Sequence, residues 1–290
     1  MNTKKLLLVA AVLFISLACS VEKKQNKGLV VPQTTTTKLN FTTNRSTIVL
    51  PVTIDGSLQN FIFDTGATFT TLQVDAITGK STKVSGADGK KTKVGIGTIS
   101  SFKIGTSDFQ DTYTWKLPMD YLKQKVPNFG GLIGQSIICK ANWLIDYPKN
   151  TIEFTDKTIE TPNFETIKVD KIRDPKLSFT LDGETYTALI DLGSSIGLVV
   201  PEGSKLAEKL LAKYPFKDST RERYTVSSGV QTINEKVGVT PKIAVGSLVF
   251  DATETSIAAS SQIRVGNTFF KDYTIYIDNT NGVYKVKKTR

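Results

Sequence analysis

An aspartate-centred pattern occurs twice in this 290-residue chain, and the second copy restricts the possible folds more than any other feature. The first copy is Phe61-Ile62-Phe63-Asp64-Thr65-Gly66-Ala67-Thr68, and the second is Ala188-Leu189-Ile190-Asp191-Leu192-Gly193-Ser194-Ser195. In each, an apolar run that reads as a buried strand leads into the aspartate, and a glycine turn follows. A carboxylate at the end of a buried strand is costly unless it is paired or used. Two of them at matching places point to one site assembled from two halves. Carboxylates held together do not both ionise easily, so such a pair shares a proton and can work as acid and base.

The repeat extends beyond the two aspartates. Asp55-Gly56 precedes Asp64 by nine residues, and Asp182-Gly183 precedes Asp191 by nine. Each Asp-Gly pair reads as a tight hairpin turn feeding the strand that ends at the key aspartate. Downstream, Ile104-Gly105 with Phe109 matches Val245-Gly246 with Phe250, and Leu132-Ile133-Gly134 matches Arg264-Val265-Gly266. Asp146 follows Gly134 by twelve residues and Asp278 follows Gly266 by twelve, so Leu144-Ile145-Asp146 aligns with Tyr276-Ile277-Asp278. A unit this long predicts two similar lobes rather than a solenoid, whose units usually run 20–50 residues. Short runs of Thr, Val, Ile, Phe and Tyr between Gly, Asn, Asp and Ser clusters predict mostly β structure. The clearest helix lies over Ser204 to Tyr214, with Leu206, Leu210 and Leu211 expected on one packing face.

Several chemistries are excluded by composition. The chain has no histidine, which removes Ser-His-Asp triads, Cys-His dyads and His-ligated zinc. It has two cysteines, Cys19 and Cys139, and no cysteine cluster that could hold a metal. Cys139 follows Ile137-Ile138 and reads as a buried small hydrophobe. No glycine-rich phosphate loop is present, so neither a metal nor a cofactor is expected.

In order and spacing, Asp64-Thr65-Gly66-Ala67 behind an apolar strand, with Gly131-Leu132-Ile133-Gly134 downstream and the spaced second copy, resembles the retropepsin-like and pepsin-like aspartic proteases. The resemblance spans roughly residues 45 to 288. It implies an all-β, bilobal, internally duplicated fold in a single chain, working as a monomer with two pseudo-symmetric lobes. It also implies an endopeptidase in which Asp64 and Asp191 hold a water between them and hydrolyse a peptide or protein substrate. Thr65 is then expected to brace the pair by a hydrogen bond across the lobes, Gly66 and Gly193 to let the backbone turn tightly under the carboxylates, and Ser194 to hydrogen-bond one carboxylate. A hairpin around Ser85-Gly86-Ala87-Asp88-Gly89 reads either as a flap over the cleft or as a plain surface hairpin. Two positions depart from the family pattern. Leu192 stands where the family has Thr or Ser, and Arg264 stands where it has an apolar residue. They motivate an alternative, a catalytically inactive pepsin-fold binding lipoprotein.

The N-terminus reads as a processing segment. Lys4-Lys5 precede an apolar run from Leu6 to Ala18 that is too short to span a bilayer. The run ends at Ser16-Leu17-Ala18-Cys19, which resembles a bacterial lipoprotein signal with Cys19 as the lipidated residue; an ordinary secretory signal cleaved nearby is the other reading. The expected organisation is a signal peptide over 1–18, a flexible tether over 19–40, an N-terminal lobe over 41–157 and a C-terminal lobe over 158–290. The expected location is the bacterial cell envelope, with a membrane contact through the lipid. The net charge of +10 is scattered, without aromatics interleaved on one face, so no nucleic-acid partner is expected.

Overall fold

Both Asp-Gly pairs form the turns their chemistry favours. Asp55 and Gly56 have φ of 49° and 78°, and Asp182 and Gly183 have 52° and 81°. Two left-handed residues in a row match the twist of a two-residue hairpin. They set the registers Ile54↔Ser57 and Leu181↔Glu184, and so fix which face of each following strand is buried. A computed structural model describes residues 20–33, 36–86, 89–225 and 228–289.

Among the described residues the strands form three sheets. An 11-stranded sheet takes its strands from Leu29–Val31 through Phe129–Ile133, and a 7-stranded sheet from Lys176–Leu181 through Arg264–Val265. A 6-stranded sheet draws on both halves: Thr36–Asn40, Asn142–Asp146, Thr151–Thr155, Glu165–Ile167, Tyr273–Asp278 and Val283–Lys288. At its centre Asn142–Asp146 runs antiparallel to Tyr273–Asp278, with Leu144 opposite Tyr276. Those two residues are equated by the sequence repeat, so the local twofold axis passes between them. The fold is all-β and bilobal, built by internal duplication.

One hydrophobic core runs through both halves and the shared sheet. Trp143 is fully buried, with ring centroids 5.1 Å from Phe63 and 4.5 Å from Phe154. Such pairs are worth about 0.5–1.5 kcal/mol beyond their area. Because Phe63 immediately precedes Asp64, this packing fastens one key carboxylate to the sheet that joins the lobes.

Two expectations are corrected here. Residues 20–33 and 36–40 are not a free tether. Residues 20–25 are helical, Gln25 is buried and its Nε2 donates to the Thr68 carbonyl at 3.0 Å, and the Cys139 thiol donates to the Gln25 carbonyl at 3.6 Å. Leu29–Val31 pairs with Ser107–Gln110, and Thr36–Asn40 with Thr151–Thr155. The polar composition hid strand edges whose partners lie far along the chain. The predicted helix forms over Lys205–Lys213, capped by the Ser204 hydroxyl, which accepts from the Ala207 amide at 3.2 Å. Leu206, Ala207 and Leu210 form its buried face, whereas Leu211, one residue further round, is 41% exposed.

Candidate active site

Strand pairing sets both aspartates. Phe129–Ile133 runs parallel to Ser57–Phe63, and Arg264–Val265 runs parallel to Glu184–Ile190. Beyond the last paired residues, the Asp64 amide donates to the Ile133 carbonyl at 2.9 Å and the Asp191 amide to the Val265 carbonyl at 2.9 Å. Each carboxylate is then held by the turn that follows it. Asp64 Oδ1 accepts from the Gly66 and Ala67 amides at 2.9 and 3.0 Å, and Asp191 Oδ1 accepts from the Gly193 amide at 3.1 Å. The two carboxyl groups meet across the lobe interface, each packed against the glycine of the opposite turn, and the charge of Asp191 acts on Asp64.

Gly66 and Gly193 serve a different purpose from the one expected. Neither needs a left-handed backbone. A methyl carbon on Gly193 would lie 2.4 Å from Asp64 Cγ, and one on Gly66 would lie 2.9 Å from Asp191 Cγ. Each glycine therefore makes room for the carboxylate of the opposite lobe, and only a hydrogen fits there.

Thr65 crosses between the lobes. Its hydroxyl donates to the Ile190 carbonyl at 2.7 Å and accepts from the Leu192 amide at 2.9 Å. Leu192 cannot return the contact; its side chain is fully buried in the core. Ser194 acts through its backbone: its amide donates to the Asp191 carbonyl at 3.0 Å, and its own carbonyl accepts from Asn267. Two supporting residues escaped the sequence reading. Gln135 Nε2 donates to the Thr65 carbonyl at 2.8 Å, and Asn267 Nδ2 donates to the Leu192 carbonyl at 2.7 Å. The repeat held the signal, since each amide directly follows the aligned glycine, Gly134 or Gly266.

Burial pushes Asp64 well above the ordinary carboxylate range, and the charge of Asp191 adds to the rise. Burial also raises Asp191, but the Arg264 guanidinium opposes the rise. Arg264 Nε lies 3.7 Å from Asp191 Oδ2.

Above the pair lies a cleft of about 250 Å³, lined from both lobes. Tyr121 and Leu122 enter from the first lobe, and Arg223, Tyr224 and Thr225 from the second. Tyr121 stacks on Tyr224 across the cleft with centroids 6.2 Å apart, and its hydroxyl donates to Glu222 at 3.3 Å. Strands Ser81–Ser85 and Lys91–Ile99 do form the expected hairpin, but no described residue of it lines the cleft. Ala87 and Asp88, at its expected tip, lie outside the described residues, as does Cys19. Among the described residues, the strand Phe216–Thr225 of the second lobe lines the cleft from Arg221 to Thr225.

Residues 50–137 match a family model described as aspartyl protease, a stretch that includes Asp64, Thr65 and Gly66 and ends before Asp191. No curated protein matches the chain. Among solved structures, 401 chains match. One is the crystal structure of aspartic proteinase from Irpex lacteus, at a TM-score of 0.57 and 11% identity, covering 88% of this chain and 98% of that one. The family match thus lies within the first lobe, and the solved structure shares the two-lobed fold of the whole chain.

Proposed function

We propose that this chain is an aspartic endopeptidase in which Asp64 and Asp191 activate one water. The observation that carries the proposal is the meeting of two half-buried carboxyl groups from opposite lobes, each packed against the glycine of the other's turn, in a cleft lined by both lobes. One carboxyl is ionised and the other protonated. The carboxylate takes a proton from the water as the water oxygen bonds to the peptide carbon, and the other carboxyl gives its proton to the carbonyl oxygen. As the gem-diol collapses, the C–N bond breaks. The amine nitrogen receives the proton taken from water, and the diol returns a proton to the carboxyl that had given one up. The pair ends as it began, without a covalent intermediate. Backbone amides at Gly66, Ala67 and Gly193 hold one oxygen of each carboxyl group and so fix the pair in place before substrate arrives.

The test is incubation of the purified chain with a diverse peptide library from pH 3 to 8, which brackets carboxyl titration. Cleavage is expected, favoured on the acidic side where the shared proton is retained. Peptides that bind in the cleft and are never cut at any pH would support the non-catalytic binding reading instead.

We also propose that the protein is anchored to the bacterial cell envelope by a lipid on Cys19. The sequence Leu17-Ala18-Cys19 behind a basic, then apolar, start supports this. Cys19→Ser is expected to block processing or move the protein from the membrane fraction to the soluble fraction. A variant that is processed and sediments as the parent does would refute the anchor.

A further inference from the structure

The two halves of the site differ at Thr65 and Leu192, and they differ a second time beside the aspartates. The backbone amides at Gly66 and Ala67 hold Asp64 Oδ1 much as that at Gly193 holds Asp191 Oδ1. The strand beside each aspartate differs. Leu132 pairs with Ile62 in the first lobe, and at the equivalent register Arg264 pairs with Leu189 in the second. Both side chains line the cleft, and both are largely buried, at 6% and 7% exposure. One carboxyl therefore has an alkyl group beside it, and the other has a guanidinium whose Nε lies 3.7 Å from Asp191 Oδ2.

A buried guanidinium stays charged, and burying it is costly unless an anion answers it. The charged groups that bear directly on Asp191 are Arg264 and Asp64. Around the cleft stand Arg45, Lys125, Arg221, Glu222 and Arg223, of which Arg221 is paired with Glu235 at 2.7 Å. We propose that Arg264 is a positioning residue that keeps the shared proton on Asp64, so that Asp191 is the base and Asp64 the acid. The proposal rests on the hydrolytic reading for its consequence in catalysis, but the proton's place is a property of the resting protein. The direction of the carboxyl shifts agrees: burial raises both, and Arg264 opposes the rise at Asp191. Arg264 is thus a reason for the site to work in a fixed direction. Asp191 takes the proton of the water; Asp64 delivers its own to the carbonyl oxygen.

Two measurements on the full chain test this. In the first, aspartate is labelled with 13C at Cγ and the carboxyl resonances are followed with pH, with Asp64→Asn and Asp191→Asn as assignment controls. Asp191 is expected to lose its proton at lower pH than Asp64. The order is expected to converge or reverse in Arg264→Met, which keeps much of the alkyl stem. If Asp64 ionises first in the parent, or if the order is the same without the guanidinium, the proposal is overturned. This measurement needs no activity, so a protein that cleaves nothing would sink the hydrolytic reading and leave the proton placement decided on its own. In the second, the pH dependence of kcat/KM is compared for the parent, Arg264→Met and Arg264→Lys. Loss of the positive charge is expected to raise the acid limb by roughly 1–3 pH units, the usual effect of a neighbouring arginine on a carboxyl, and the alkaline limb by less. Arg264→Lys is expected to bring the acid limb most of the way back. Equal movement of both limbs, or an equal and pH-independent loss in the Met and Lys variants, would mark Arg264 as structural only and overturn the assignment.

Discussion

Asp64→Asn is expected to remove peptide hydrolysis by a factor of about 10²–10⁴ or more, the range in which a positioned acid or base contributes, while making the folded protein more stable at neutral pH. The first effect follows because an amide cannot pass a proton to the carbonyl oxygen. The second follows from burial. Desolvation raises Asp64 well above its ordinary value, and the neighbouring Asp191 charge adds to this. The folded protein then binds that proton more tightly than the unfolded chain, whose aspartates titrate near about 3.9. Its contribution to stability is intact below the unfolded value and is lost as pH rises through the folded value. Asparagine carries no such penalty. Its carbonyl oxygen can keep the Gly66 and Ala67 amides, and its NH2 can donate to Asp191. The gain should be small near pH 3 and should grow towards pH 7. Each pH unit of raised titration is worth about 1.4 kcal/mol, and a domain of this size gains roughly 2–4 °C in Tm per kcal/mol. Thermal melts of parent and variant from pH 3 to 8, beside kcat/KM on a cleaved peptide, check both halves. Retained activity would remove Asp64 from the chemistry, and a stability difference that does not change with pH would show that its carboxyl is not held in a raised state.

Such a residue is costly to the fold, and that is what made the site legible in the sequence. An ionisable group at the end of an apolar strand breaks the pattern around it, and a second break at the equivalent place is hard to explain by packing. The hairpin turns were legible for a local reason. Asp55-Gly56 and Asp182-Gly183 need only their own backbone angles to fix the register of the strands that reach Asp64 and Asp191. The shared sheet was legible through spacing, because the repeat equates Leu144 with Tyr276 and the fold pairs them. What could not be read depends on partners far along the chain. Nothing near Gln25 announces that its amide is taken by the Thr68 carbonyl, so residues 19–40 read as a tether. Leu211 looked like a core residue by composition, yet the helix turns it away from the face that carries Leu206 and Leu210. Gly66 and Gly193 read as turn residues, although the space they leave is for a carboxylate of the opposite lobe, Asp191 and Asp64 respectively. The cleft's lining is another case. Two hairpins are available, and only the fold shows that Tyr224 of the second lobe meets Tyr121 of the first at the cleft, whereas the described residues of the 81–99 hairpin stay away from it.

Thr65→Val is expected to cost more stability than any other single change of similar size in the lobe interface. The substitution keeps the volume and removes one hydroxyl. That hydroxyl is fully engaged, donating to the Ile190 carbonyl at 2.7 Å and accepting from the Leu192 amide at 2.9 Å, both in the opposite lobe and both buried. Two backbone groups would lose a partner where water does not easily replace it. At about 1–3 kcal/mol for each buried group left unsatisfied, the loss is about 2–6 kcal/mol, or roughly 4–24 °C in Tm for a protein of this size. Leu192 is the reason the loss has no cover. Where the family carries a second hydroxyl that would brace the pair from the other side, this chain has an alkyl side chain, so Thr65 alone supplies this contact. Activity should fall together with stability, because Asp191 stands between the two groups that Thr65 holds, and its carboxyl must meet that of Asp64. Thr65→Ser, which keeps the donor and the acceptor, should recover most of both. Melting curves and kcat/KM for the Val and Ser variants are the measurements. A Val variant that melts within a degree or two of the parent and cleaves as fast would mean that the Asp191 turn is held by Asn267 and core packing, and that the cross-lobe hydroxyl is dispensable.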